Sequence, residues 1–147
     1  MRLNKESPQK CSLTPLHQAG APGFSWHRVS LGERLEIGEV TLLHPDGDAL
    51  SPRDSTRPLL LVDSSWRDLP RVLSGLQGTF HSRSLPVGLE TAYPRKSKTF
   101  LDPEHGLASI EALHAALALL GHRDDSVLEG YHWREKWLDA NAAILDV

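Results

Sequence analysis

The sequence predicts an α/β protein with a mainly parallel sheet flanked by helices. Segments patterned as strands alternate with segments of helical period, which is the order that βα units produce. Leu59-Leu60-Leu61-Val62 is a continuous apolar run, opened by Pro58 and closed by Asp63-Ser64-Ser65. Such a run suits a strand covered on both faces, as parallel strands are. In 109–120, Ile110, Leu113, Leu117 and Leu120 recur at the spacing of one helix face.

Residues 1–57 are rich in Gly, Pro and Ser, with turn signals at 20–23 and 45–48. Between these turns, 34–37 alternates as a short strand does, and 40–43 is a second strand ending at His44-Pro45. After the apolar run, 67–76 reads as a helix, with Leu69, Val72, Leu73 and Leu76 on one face and Gly75 or Gly78 to end it. Residues 85–92 are expected to form one more short strand, with Pro86 at its beginning. The helix 109–120 is expected to be capped by Ser109, favoured by Glu111 at its positive end and closed by Gly121. A further helix is expected to begin at Asp124-Asp125-Ser126, and a last one to span 133–144 with Trp133, Trp137, Leu138 and Ile144 turned inward.

A length of 147 residues suits one domain with one modest core. Within it, 1–57 forms a strand and loop part and 58–147 the main α/β part. No apolar stretch is long enough to span a bilayer. The first six residues lack the apolar region of a secretory signal. A single cysteine, Cys11, rules out an internal disulfide framework and argues against a thiolate zinc site. These features point to the cytoplasm. The eight histidines never pair at i, i+4, so no metal is expected.

A net charge of −3 argues against indiscriminate nucleic-acid binding. It leaves room for a local basic patch, and one segment supplies it. His81, Arg83, Arg95, Lys96 and Lys98 are interleaved with Phe80, Tyr93 and Phe100 and interrupted by no acidic residue except Glu90. Such cations neutralise phosphates and such rings stack on an unpaired base. A solvated loop has the same composition.

The chain has no G-x-G-x-x-G, P-loop, H-E-x-x-H or G-x-S-x-G. The notable cluster is Asp63-Ser64-Ser65-Trp66, at the carboxyl end of the apolar strand, where open α/β sheets bind ligands. Asp63 or Ser65 would serve equally to cap the next helix, with Trp66 packed on the sheet.

Several segments resemble one family, the small-subunit ribosomal RNA aminocarboxypropyltransferases, whose fold is similar to the knotted SPOUT methyltransferases. Pro8-Gln9-Lys10-Cys11-Ser12 resembles the family's Asp-Pro-Lys-x-Cys-Ser/Thr segment, with Ser7 in the place of its Asp. Leu43-His44-Pro45 and Leu50-Ser51-Pro52-Arg53-Asp54 resemble its Leu-Ser-Pro turn and Ser-Pro-x-Asp. Asp63-Ser64-Ser65-Trp66 is similar to Asp-Cys-Ser-Trp, and Arg83-Ser84-Leu85-Pro86 to Arg-x-Leu-Pro. Gly106-Leu107-Ala108-Ser109-Ile110-Glu111-Ala112 resembles the opening of the long family helix. Tyr131-His132-Trp133 and Asn141 resemble its C-terminal aromatic residues and Asn. The family's Ala-Asn-Pro-x-Asn-Tyr-Gly stretch is replaced here by Glu90-Thr91-Ala92-Tyr93-Pro94-Arg95-Lys96-Ser97-Lys98.

The resemblance implies a SPOUT-like fold with a C-terminal trefoil knot in 58–147, and S-adenosylmethionine as donor of an aminocarboxypropyl group. It implies transfer to a uridine or pseudouridine of small-subunit ribosomal RNA during ribosome biogenesis. By carry-over, Leu43, Pro45 and Leu107 hold the adenine, backbone near Leu85 the ribose, and Ser12, Ala108 and Ser109 the methionine part. Asp63 faces the ammonium and Trp66 packs beside it, these two being the candidate catalytic residues. Lys10, Arg83, Arg95, Lys96 and Lys98 are the candidate RNA contacts. The rival readings are a transfer-RNA aminocarboxypropyltransferase of the DTW type, a SPOUT RNA methyltransferase, and a non-catalytic RNA or ribosome-assembly factor.

Overall fold

A computed structural model describes residues 1–3, 12–20, 23–65, 67–93 and 106–146. The α/β expectation holds. Strand β1 (Arg2–Leu3) pairs in parallel with β2 (Arg28–Val29). Strand β3 (Leu35–Ala49) lies between β4 (Leu59–Leu60) and β5 (Leu76–Ser84) and is parallel to both. Two backbone bonds link these sheets: the Met1 amino group donates to Leu61 O at 2.8 Å, and Asp63 N–H donates to Met1 O at 2.7 Å. One residue bonding two positions on its neighbour is the pattern of a parallel ladder.

The structure corrects the expected strands in three places. The segments 34–37 and 40–43 are one strand, and it runs on through the expected turn at 45–48. Its register against β5 slips between Glu36 and Gly38 and again between Leu43 and Asp48, and these irregularities absorb the turn-type residues. At the second slip, a Cβ on Gly47 would stand 2.3 Å from the Ser82 carbonyl carbon, so this close approach requires a glycine. The apolar run gives a strand of two residues, and both are half-buried rather than covered on both faces. No strand spans 85–92. The neighbouring strand is β5, whose start, Gln77-Gly78-Thr79, is exposed and polar and carries no alternating signal.

Helix α1 (Thr14–Ala19) has Pro15 in its first turn and ends at Gly20 in the left-handed region, φ 64°. Its six residues are too few to show a period in the sequence. Helix α2 (Leu69–Gly75) buries Leu69 and Val72, and β5 begins at the next residue, with no loop between them. A Cβ on Gly75 would lie 2.0 Å from Glu33 O.

Helix α3 (Ser109–Leu119) occupies nearly the expected span. Its N-cap is Ala108, not Ser109, and Glu111 supplies the capping carboxylate by accepting Ala108 N–H at 2.9 Å. Gly121, φ 88°, closes it. Gly121 N–H bonds Ala118 O at 3.1 Å and His122 N–H bonds Leu117 O at 2.8 Å, the paired bonds of a Schellman ending. The helix is buried on more than one side. Ile110, Leu113 and Ala118 join the main core with Leu16, Leu128 and Trp137, while Ala116 and Leu120 pack with Leu50.

The expected helix at Asp124 is a 3₁₀ turn, Asp125–Leu128, capped by Asp124 Oδ1 accepting Ser126 N–H at 3.0 Å. The single helix expected over 133–144 is two, α4 (Arg134–Ala140) and α5 (Ala142–Leu145). The break is at Asn141, whose Nδ2 donates to Trp137 O at 2.9 Å. Among the described residues no helix is long and apolar enough to cross a membrane.

Candidate functional site

In a parallel sheet all carboxyl ends share one edge, and loops from several strands meet there. Asp63 follows β4 at that edge and is half-buried. Its Oδ1 accepts a hydrogen bond from Ser109 Oγ at 3.3 Å, which joins the strand end to the first residue of α3. Ser12, just ahead of α1, is bound to the same helix start: its Oγ accepts Ile110 N–H at 3.0 Å. Four predicted residues, Ser12, Asp63, Ala108 and Ser109, are thus brought together around one helix N-terminus. The dipole of a helix start favours negative charge there.

The apolar candidates are arranged less closely. Leu43 and Leu85 are half-buried and pack in one cluster with Leu50, Ala116 and Leu120. Leu85 also borders the main core, as does half-buried Leu107. Pro45 is exposed, within the register slip that follows Leu43. Trp66, Lys10, Arg95, Lys96 and Lys98 lie outside the described residues.

Arg83, read as an RNA contact, has an internal partner. Its Nε donates to Asp54 Oδ1 at 3.0 Å and its Nη1 to Ser82 O at 2.9 Å. Asp54 is buried, and Arg57 Nη2 reaches the same oxygen at 2.6 Å. Burial alone would raise the Asp54 carboxyl, but the Ser51 N–H bond and the two guanidinium groups outweigh it and hold it below the usual carboxylate range. Arg57 Nε also donates to the fully buried Thr41 hydroxyl at 3.1 Å. The Ser-Pro-x-Asp motif therefore ties β3, β5 and the 3₁₀ turn Pro52–Thr56 together.

Glu111 has a larger part than the sequence suggested. It is fully buried at the third position of α3. Beyond Ala108 N–H, its Oε1 accepts the Thr91 hydroxyl at 2.6 Å. Its Oε2 accepts Ala92 N–H at 2.8 Å and the Tyr131 hydroxyl at 3.0 Å. Burial raises the Tyr131 phenol, and the adjacent Glu111 carboxylate raises it further, so it stays a donor. The sequence signal was present as Glu at N3 of a helix, the capping-box position. Nothing in its spacing marked Thr91 and Tyr131 as partners.

Asn141 clamps the same loop one residue earlier. Its Oδ1 accepts Glu90 N–H at 2.8 Å and its Nδ2 donates to Glu90 O at 2.9 Å. Beside the clamp is an aromatic group. Tyr93 meets Trp133 edge-on at a centroid distance of 5.3 Å, with Tyr131 and His132 also edge-on to that indole.

A cavity of about 330 Å³ lies elsewhere, between α1 and the 3₁₀ turn at Asp125, and none of the predicted site residues lines it. Among the described residues no group of three or more His, Cys, Asp or Glu is placed to hold a metal ion.

No protein-family model matches the chain. It is similar to the 16S rRNA aminocarboxypropyltransferase of Halobacterium salinarum, 28% identical over 92% of this chain and 76% of the relative. It is similar to the protein of the same name from Vulcanisaeta distributa, 27% identical over 99% of this chain and 77% of the relative. Among solved structures it matches that of the SAM-dependent rRNA:acp-transferase Tsr3 from Vulcanisaeta distributa. The TM-score is 0.70 and the identity 28%, over 99% of this chain and 78% of the other.

Proposed function

We infer that this chain is an S-adenosylmethionine-dependent enzyme that transfers the 3-amino-3-carboxypropyl group to 16S ribosomal RNA. The observation that carries the reading is likeness in both sequence and fold, over nearly the whole chain, to proteins named for that reaction. Of the motifs that suggested the family, Asp63 follows β4 at the carboxyl edge of the sheet and Ala108-Ser109 open α3 beside it. The reading includes one domain over 1–147, a SPOUT-like trefoil knot in 58–147, and a place in the cytoplasm.

The donor set suits the ligand. A half-buried carboxylate beside a hydroxyl and a helix start offers opposite charge to an ammonium and the positive end of a helix dipole to a carboxylate. In this reading Asp63 faces the ammonium, Ser12, Ala108 and Ser109 line the amino-acid arm, and Trp66 packs beside it. Leu43, Pro45 and Leu107 cover the adenine, and backbone near Leu85 holds the ribose. Lys10, Arg95, Lys96 and Lys98 meet the RNA, while Arg83 acts there through its hold on Asp54. When bound, the sulfonium supplies an activated carbon on the aminocarboxypropyl arm, and methylthioadenosine is the leaving group. The chain's part is to orient that arm and exclude the methyl group from the acceptor. Alignment of this kind supplies about 7–11 kcal/mol of barrier reduction. Glu111, saturated by four donors, is not the base for the acceptor nitrogen.

The test is incubation of the protein with unmodified 16S rRNA and transfer RNA and the cofactor labelled either at its carboxyl carbon or at its methyl. Only the carboxyl label should reach the RNA, with methylthioadenosine accumulating. Methyl label on the RNA would make it a methyltransferase. Carboxyl label on transfer RNA alone would favour the DTW-type reading, and absence of cofactor binding would leave an RNA-binding or assembly factor.

A further inference from the structure

We propose that Glu111 is a positioning residue that fixes the donor-side turn at Ala108 and Ser109 against the acceptor-side loop at Thr91 to Tyr93. The proposal rests on the transferase reading. Each carboxylate oxygen of Glu111 takes one backbone N–H and one hydroxyl: Ala108 and Thr91 on Oε1, Ala92 and Tyr131 on Oε2. Two backbone segments, one on each side of residues 94–105, are therefore held to the width of one carboxyl group.

The chemistry of this hub makes it hard to replace. All four partners present donors, and a carboxylate accepts from both oxygens. A glutamine of the same shape offers one oxygen and one NH₂. The hydroxyls can turn to accept, but the backbone N–H groups cannot. In either amide orientation, NH₂ opposes the N–H of Ala108 or of Ala92, so one of the two segments is released.

What each segment carries gives the arrangement its use. On one side the N–H of Ala108 precedes Ser109, which bonds Asp63. On the other, the Thr91 hydroxyl also accepts Tyr93 N–H at 3.1 Å, and so sets the residue whose ring meets Trp133. Tyr93 is the described aromatic nearest in sequence to Arg95, Lys96 and Lys98. The hub thus sets the spacing between the arm to be transferred and the face that receives the base. A misplacement of about 1 Å in such spacing costs on the order of a hundredfold in rate.

The experiment measures three quantities for Glu111→Gln and Thr91→Val well below the unfolding temperature. They are the cofactor Kd by calorimetry, the KM for unmodified 16S rRNA, and kcat per calorimetrically counted cofactor site. Thr91→Val keeps both backbone bonds to Glu111 and stands as the test if Glu111→Gln does not fold. It should leave the cofactor Kd within about twofold, raise the RNA KM and lower kcat per site about tenfold. Glu111→Gln should weaken the cofactor about tenfold as well and lower kcat on the order of a hundredfold. A Thr91→Val protein with parental RNA KM and kcat per site overturns the proposal. So does a Glu111→Gln protein that merely has fewer intact sites, each with parental constants. A parent that binds cofactor but labels no RNA overturns the transferase reading itself and the proposal with it, whereas a labelling parent with unaffected variants overturns the positioning role alone.

Discussion

A buried polar side chain costs stability unless its partners are complete, so the fully buried ones show what the fold is built to hold. Glu111 and Asn141 hold the loop around Glu90 to Ala92. His114 holds the C-terminal elements. Its Nδ1 accepts the Trp137 indole N–H at 3.1 Å, which leaves Nε2–H to donate to Asp125 Oδ1 at 2.8 Å. Arg123 adds bonds to both Asp125 oxygens and to Asp146. The Arg123 bonds first, then the His114 bond, hold the Asp125 carboxyl down to about 2 from its ordinary 3.8. A carboxyl lowered by folding stabilises the folded state above its unfolded value and loses that contribution as pH falls through its folded value. The window here runs from about pH 4 down to about pH 2. In thermal melts, the parent should exceed Asp125→Asn in Tm by a margin that is full above about pH 4 and shrinks towards pH 2.

Elements were legible in the sequence where local pattern and tertiary role coincide. In α3 the apolar spacing, Glu111 in the first turn and Gly121 all agree with what the structure uses, while the cap falls on Ala108 rather than Ser109. Strand β5 went unread because its first half is polar and its pairing with β3 is a long-range matter. The continuation of β3 through Pro45-Asp46-Gly47 was masked by residues that usually announce a turn; here they sit in a register slip. The expected helix over 133–144 had the right period but not the break, because Asn141 serves Glu90 as well as its own helix. At the site, Asp63, Ser109 and Ser12 were named through the resemblance and do converge, while Thr91 and Tyr131 are joined by Glu111 alone and left no spacing signal. The slip in β3 can be tested directly. Gly47→Ala drives a methyl into the Ser82 carbonyl and should cost about 1–3 kcal/mol in urea unfolding.

At the scale of the whole molecule, the start of α3 is braced by the C-terminal elements. Trp137 and Leu145 lie in the same core cluster as Ile110 and Leu113 of α3, and Asn141 reaches from between α4 and α5 to the loop at Glu90. Asn141→Ala should lower global stability by about 2 kcal/mol in urea unfolding. It should also speed amide hydrogen exchange at Glu90 beyond that global loss, because that N–H loses its acceptor. The other support is the junction of α2 and β5, where the last helical residue, Gly75, touches the Glu33 carbonyl and the next begins the strand. Such a joint has no slack. Inserting or deleting one residue there would turn every side chain of β5 to the opposite face, undoing the reach of Arg83 to Asp54. Length changes in descendants of this chain are barred from that seam, and drift must be absorbed where loops separate the elements.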